Sequence, residues 1–161
     1  MADWKALRSE FPLLERYIYL NACSLGPLPR RGHAALARYA QDWDEKGTPV
    51  WFHDWLPLLD RLRGKVAELL KAPAGSTAIA PSVSVALTTL ASGLPLPPGR
   101  EKILIGGLDF PTVAHQWLSR PGFEVEFVPS ADGMTIPPEA FAERIDERTA
   151  LVATTHLFYT T

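Results

Sequence analysis

Beyond Gly75 the chain alternates short β-type runs with helical ones, and this alternation restricts the fold more than any other feature. Thr77-Ala78-Ile79-Ala80 reads as a short strand broken by Pro81, and Ser82-Val83-Ser84 then opens an apolar helix over 83–94. Lys102-Ile103-Leu104-Ile105 is a buried-type strand before Gly106-Gly107, followed by a helix over 112–119. Phe123 to Val128 is again a strand, Pro137 to Ile145 a helix, and Ala150-Leu151-Val152-Ala153 a further apolar strand. Strands separated by single helices predict a mostly parallel sheet with flanking helices. Ligands of such sheets sit at the carboxyl ends of the strands. The turn at Ser82–Ser84 suits that place, because the first N–H groups of a helix lack intrahelical partners and the macrodipole favours an anion there. The same hydroxyls also serve as ordinary N-caps, and these residues alone leave both readings open.

The first 74 residues follow a helical pattern instead. A short helix over 2–10 is ended by Pro12, and Tyr17-Ile18-Tyr19-Leu20 is extended before a turn over 21–27. A helix from Arg30 to Lys46 carries Leu36, Tyr39, Ala40 and Trp43 on one stripe, and Gly47-Thr48-Pro49 stops it. A second amphipathic helix runs from Asp54, as its N-cap, to Leu70. The expected organisation is therefore 1–74 as an N-terminal helical segment and 75–161 as the first half of an α/β domain. An open sheet of about four strands with nothing to close it leaves a long apolar edge, so the sequence reads as cut short.

Composition removes several function classes. Apolar residues make up 47% of the chain, enough for a real core. The net charge of −2 and the lack of a basic block argue against nucleic acid as a partner. No 18-residue apolar run and no apolar signal core occur, so neither a membrane partner nor export is expected and a cytoplasmic location fits. Cys23 stands alone, and His33 and His115 lack ligand partners at suitable spacing, so no metal site is expected. Glu124 and Glu126 alternate with apolar residues as the outer face of a strand, and Asp109 reads as the N-cap of the helix after Pro111 in preference to a cofactor contact. Trp51, His53 and Trp55 form a tight aromatic cluster, read most simply as helix-packing anchors.

Four segments, in order, resemble the N-terminal half of pyridoxal-phosphate (PLP) enzymes of fold type I. Tyr19-Leu20-Asn21-Ala22-Cys23-Ser24-Leu25-Gly26-Pro27-Leu28-Pro29 is similar to the kynureninase opening YLDGNSLGLLP. Ser82-Val83-Ser84-Val85-Ala86-Leu87 stands at the phosphate-binding turn, and Asp109-Phe110-Pro111-Thr112 resembles the kynureninase FPSD box. Val152 to Thr161 resembles a THVxYxTG segment interrupted before its glycine. The set resembles the class V aminotransferase superfamily, which includes kynureninases and cysteine desulfurases. The implied fold is an incomplete PLP-dependent transferase-like α/β domain.

The resemblance implies a role for each position. Val83 and Ser84 would present amides to the cofactor phosphate, Phe110 would lie against the pyridine ring, and Thr155 would hydrogen-bond a ring substituent. Trp51 and His53 would approach an amino-acid substrate, and His156 would pack behind the site. Kynureninases place phenylalanine over the ring where desulfurases place histidine, which tilts the reading toward hydrolytic C–C cleavage. Cys23 and Val113 depart from the kynureninase pattern, so an aminotransferase or desulfurase-type lyase stays open, as does a non-catalytic domain holding another phosphate such as a nucleotide. The resemblance also implies a homodimer, and places the Schiff-base lysine and the aspartate facing the pyridine nitrogen in a missing C-terminal half. Lys5, Lys46, Lys65, Lys71 and Lys102 all lie outside a Schiff-base context, so the chain alone is expected to be inactive.

Overall fold

A computed structural model describes residues 3–160, so Ala2 in the first expected helix and Thr161 in the fourth segment lie outside the described residues. The chain divides into two compact units, one ending at Ala78 and the other beginning at Ile79.

In the first unit, helix α1 (Trp4–Ser9) starts where Asp3 Oδ1 accepts the amides of Lys5 and Ala6 at 3.0 and 3.1 Å. A single turn, α2 (Leu13–Arg16), follows. Tyr17 to Leu20 forms no strand, because none of the described residues pairs with it as a strand, and Ile18 and Leu20 are each 89% exposed. Helix α3 (Arg30–Lys46) matches its spacing.

The next helix differs from expectation at its start. Trp51–Trp55 forms one π-helical turn, closed by the Leu56 amide donating to the Trp51 carbonyl, and α4 (Leu56–Leu70) continues from it. Pro57 explains the wider turn: it lacks the N–H that a regular ladder would send to His53, and its ring would crowd that carbonyl. Asp54 is therefore not an N-cap. Its Oδ2 instead accepts from Lys46 Nζ at 2.9 Å, and the same ammonium reaches Asp42 Oδ1 at 3.0 Å. The hydrogen bond to Asp54, then that to Asp42, raises the Lys46 pKa, and the Lys46 hydrogen bond is the leading cause that lowers Asp42. Helix α4 ends at Lys71, whose left-handed backbone (φ 52°, ψ 35°) lets its amide close onto the Ala67 and Glu68 carbonyls.

Residues 77–80, expected as a strand, form none; the Thr77 hydroxyl donates to the Arg63 carbonyl at 2.9 Å. Helix α5 (Val83–Gly93) opens the second unit's regular structure, followed by β1 (Lys102–Gly106), α6 (Pro111–Leu118), β2 (Glu124–Val128), α7 (Pro138–Ala142) and β3 (Thr149–Ala153). The sheet has three parallel strands rather than about four, in the order β2-β1-β3. Ile103 stands opposite Val125 and Leu151, and Ile105 opposite Phe127 and Ala153. A central parallel strand must be apolar on both faces. Accordingly Ile103, Leu104 and Ile105 are completely buried, each contributing about 1.5–3 kcal/mol. Ala91 of α5 and Val113 and Trp117 of α6 pack with Ile103 and Ile105 as the unit's core.

The amino end of this sheet is charged. Lys102 Nζ donates to Asp146 at 2.8 Å and to the Arg144 carbonyl at 2.6 Å, with Glu126 at 3.5 Å. The hydrogen bond between Asp146 and Lys102 raises the lysine's pKa and lowers the carboxyl's. Glu124 and Glu126 thus do more than face solvent: Glu124 accepts from Arg148 at 2.6 Å, and Glu126 lies 3.5 Å from Arg144 as well as from Lys102.

Candidate functional site

The start of α5 offers two open donors. Ser82, with extended backbone, accepts the Val85 amide on its Oγ at 3.2 Å, and its carbonyl takes the Ala86 amide at 3.0 Å. The amides of Val83 and Ser84, the first two helical residues, have no intrahelical acceptor. Val83 is 69% exposed, so this helix start lies at the surface. Capping and ligand-facing amides are therefore compatible here, because the cap uses the third amide and leaves the first two.

The partners along α5 and α6 fix where Phe110 lies relative to that start. The Thr88 hydroxyl donates to Gln116 at 2.7 Å, and one turn later Arg120 donates to the Ser92 hydroxyl at 2.9 Å, both pairs at a sequence offset of 28. Arg120 also donates to the Ala91 carbonyl at 2.9 Å. A constant offset means that the two helices run side by side in the same direction. Ser82–Ser84 and Phe110–Pro111 consequently occupy the same end of the pair, the end into which β1 delivers the chain. Phe110 is the N-cap residue of α6 with φ −61° and ψ 138°, the extended backbone that a following proline favours. The residue is 52% exposed, and its ring meets Tyr159 edge-on at 5.0 Å and 80°.

Asp109 is not the N-cap of α6, which has no side-chain cap. Its Oδ2 accepts the Gly106 amide at 3.0 Å, and its Oδ1 accepts both the amide and the hydroxyl of Thr155, at 2.8 and 2.7 Å. The carboxylate thus joins the turn after β1 to the segment after β3. Gly106 makes room for it: a Cβ there would stand 2.7 Å from Asp109 Oδ2 and 3.0 Å from Thr154 Oγ1. The cap reading failed because Asp two residues before Pro is an equally good local cap signal, while its real partner lies 46 residues away.

Val83, Ser84, Phe110 and Thr155 belong to the second unit, whereas Trp51 and His53 belong to the first. Trp51 lies edge-on to Trp55 at 5.0 Å, and Trp55 stacks on Tyr39 at 4.5 Å and 25°. Trp55 is thus a packing anchor, while Trp51 and His53 keep exposed side chains. Lys102, the one lysine of the second unit, sits at the amino end of β1, away from Gly106 and held by Asp146. Among the described residues no cluster of His, Cys, Asp and Glu could hold a metal ion, and no helix is long and apolar enough to cross a membrane.

No protein-family model matches the chain. It is 31% identical to an uncharacterized aminotransferase of Bacillus subtilis, over 94% of this chain and 40% of the relative. It is 34% identical to a kynureninase of Deinococcus radiodurans, over 96% of this chain and 38% of that one. A probable cysteine desulfurase of Methanothermobacter thermautotrophicus is 25% identical over 94% of this chain and 39% of its own length. The chain therefore spans about 40% of the length of the curated relatives it matches. Among solved structures, a C-DES lysine-to-alanine mutant with glycine covalently linked to its PLP cofactor superposes with TM-score 0.79 at 22% identity, covering 94% of this chain and 41% of that one. That likeness establishes the fold, including the small parallel sheet and its helices.

Proposed function

We infer, for a chain that matches the N-terminal portion of fold type I proteins of the class V aminotransferase superfamily, that its second unit supplies the phosphate grip and ring cover of a PLP site. The observation that carries this reading is the common end shared by the open amides of Val83 and Ser84 and the exposed face of Phe110. The donor set fits the cofactor. Two amides without intrahelical acceptors and the Ser84 hydroxyl suit a phosphate monoester, each charge-assisted bond contributing about 1.5–3 kcal/mol. Phe110 presents a flat apolar face to a heterocycle, a contribution of about 0.5–1.5 kcal/mol beyond burial. Thr155 meets a ring substituent. PLP, when bound, supplies an electron sink for chemistry at an amino acid.

The residues of this chain hold and orient that group and keep water from one face of it. Trp51 and His53 approach the substrate, an amino acid. The anchoring lysine and the carboxylate for the pyridine nitrogen come from polypeptide outside this chain, because Lys102 is committed to the other end of the sheet. Phenylalanine at the ring-covering position favours kynureninase-like hydrolytic C–C cleavage, by a homodimer in the cytoplasm. The similarity to an uncharacterized aminotransferase favours amino transfer as the second reading.

Replacing Val83 with Pro in the full-length polypeptide tests the grip. Position 83 opens a helix and follows an extended residue, so proline fits there and removes only the amide hydrogen. Retention of PLP, followed by its absorption band after dialysis, is expected to fall at least fivefold for Val83→Pro and about two- to tenfold for Phe110→Ala. Ser84→Ala, which keeps the amide, should lose less. Wild-type retention in both Val83→Pro and Phe110→Ala would sink the reading and leave a non-catalytic phosphate or nucleotide domain. Turnover of kynurenine against amino transfer to a keto acid separates the two enzymatic readings.

A further inference from the structure

Resting on that reading of the site, we propose that Asp109 is a positioning residue: its carboxylate clasps the turn after β1 to the segment after β3 and thereby fixes both the Phe110 plate and the Thr155 hydroxyl. The β1–β3 ladder ends at the pair Ile105 and Ala153. Two residues beyond it, Thr155 is held by Asp109 through its amide at 2.8 Å and its hydroxyl at 2.7 Å. The other oxygen of Asp109 takes the Gly106 amide at 3.0 Å, so one carboxylate continues the link between the strands where backbone pairing stops. All three bonds are short, 2.7–3.0 Å, and converge on the two oxygens of one side chain.

Both sides of the clasp carry an aromatic ring. Phe110 follows Asp109 directly, with its backbone narrowed by Pro111, and Tyr159 lies four residues after Thr155. These rings meet edge-on at 5.0 Å, so the plate is steadied from both segments that the carboxylate joins. The clasp also settles what Thr155 can offer. Its hydroxyl proton is committed to Asp109, so toward a ring substituent it presents lone pairs and acts as acceptor.

The test uses the full-length polypeptide with Asp109→Ala, Asp109→Asn, Thr155→Val and Thr155→Ser, alongside Phe110→Ala. Asp109→Asn has one acceptor oxygen, so its NH2 is set either against the Gly106 amide or against the amide and hydroxyl of Thr155. Hydrogen exchange is first measured without PLP. Segments 106–112 and 153–160 are expected to exchange at least tenfold faster in Asp109→Ala and less so in Asp109→Asn, with the 102–105 segment unchanged. PLP titration should then show affinity at least fivefold weaker and a reduced induced circular dichroism of the bound cofactor. Thr155→Val should fall between these and wild type, and Thr155→Ser should behave as wild type.

Unchanged exchange in Asp109→Ala would overturn the clasp. Faster exchange with wild-type PLP affinity and dichroism would overturn positioning and leave a merely structural carboxylate. In that second case Phe110→Ala identifies what failed: weakened binding there keeps the cofactor reading and removes only the role of Asp109, whereas wild-type binding there removes the cofactor reading itself. Should Asp109→Ala not fold, the same comparisons are read from Asp109→Asn and Thr155→Val.

Discussion

The two units spend their apolar residues in opposite ways. The second buries Ile103, Leu104, Ile105, Val113, Trp117 and Val128 in and around one small parallel sheet, and so builds a core from its own chain. The first has nearly as many large apolar and aromatic residues, yet its fully covered apolar residues are chiefly Val50 and the small Ala67, while Leu20, Leu36, Trp43 and Phe52 stay exposed. Parallel strands account for the difference, since a central strand has two faces and both must be covered. An amphipathic helix needs to hide only a stripe, and the helices α3 and α4 leave much of theirs open. The second unit is therefore the rigid platform on which a site can be held to within ångströms.

That contrast can be broken by experiment. Ile103→Ala is expected to cost about 2–5 kcal/mol in urea unfolding, because a filled core leaves a cavity when a large side chain is cut back. A cost below 1 kcal/mol would mean that the sheet centre is not the keystone. In the first unit Val50→Ala should cost less, about 1.5–2 kcal/mol for two buried methyl groups. The charged end of the sheet gives a pH signature. Asp146 is held below the usual carboxylate range, so its stabilisation is present at neutral pH and is lost as pH falls through the lowered value. Lys102 is raised above the usual lysine range, so its share is present at neutral pH and disappears as pH rises through the raised value. Asp146→Asn should shrink the acid limb of a thermal-melting profile, to which Asp132 and Asp42, also held low by their hydrogen bonds, contribute as well, and an unaltered acid limb would place the titrating group elsewhere. Leu20→Ala, at a side chain 89% exposed, should change stability by less than about 0.5 kcal/mol. A loss of 2 kcal/mol there would show that this surface is covered in solution and erase the contrast between the units.

Much of the platform was legible in the residues. Alternation of short apolar runs with helices announced a parallel sheet, and α3, α5, β1, α6 and β2 lie within a residue or two of their expected places. What failed has physical causes. The run 77–80 has strand-like residues but no partner, and pairing is a property of two segments rather than one. Asp54 looked like a cap because caps are recognised locally, yet the π-turn imposed by Pro57 moved the helix start and left the carboxylate to Lys46. Asp109 misled for the same reason, its true partner being Thr155. At the candidate site, the helix start at Ser82–Ser84 and the aromatic-proline pair could be read from the sequence. The register that brings them to one end could not, because it rests on Thr88, Gln116, Ser92 and Arg120, polar residues with nothing in their spacing to single them out.

Gly106 carries a consequence of its own. The nearest approach to its missing side chain is the Asp109 carboxylate, with the Thr154 hydroxyl and Ile136 also close. Even a single methyl there would wedge open the junction beside which Phe110 and Tyr159 meet, while leaving both rings intact. This position is thus a built-in adjustment screw, where the smallest possible change of side chain reaches the surface carrying Phe110 and Thr155 without touching it.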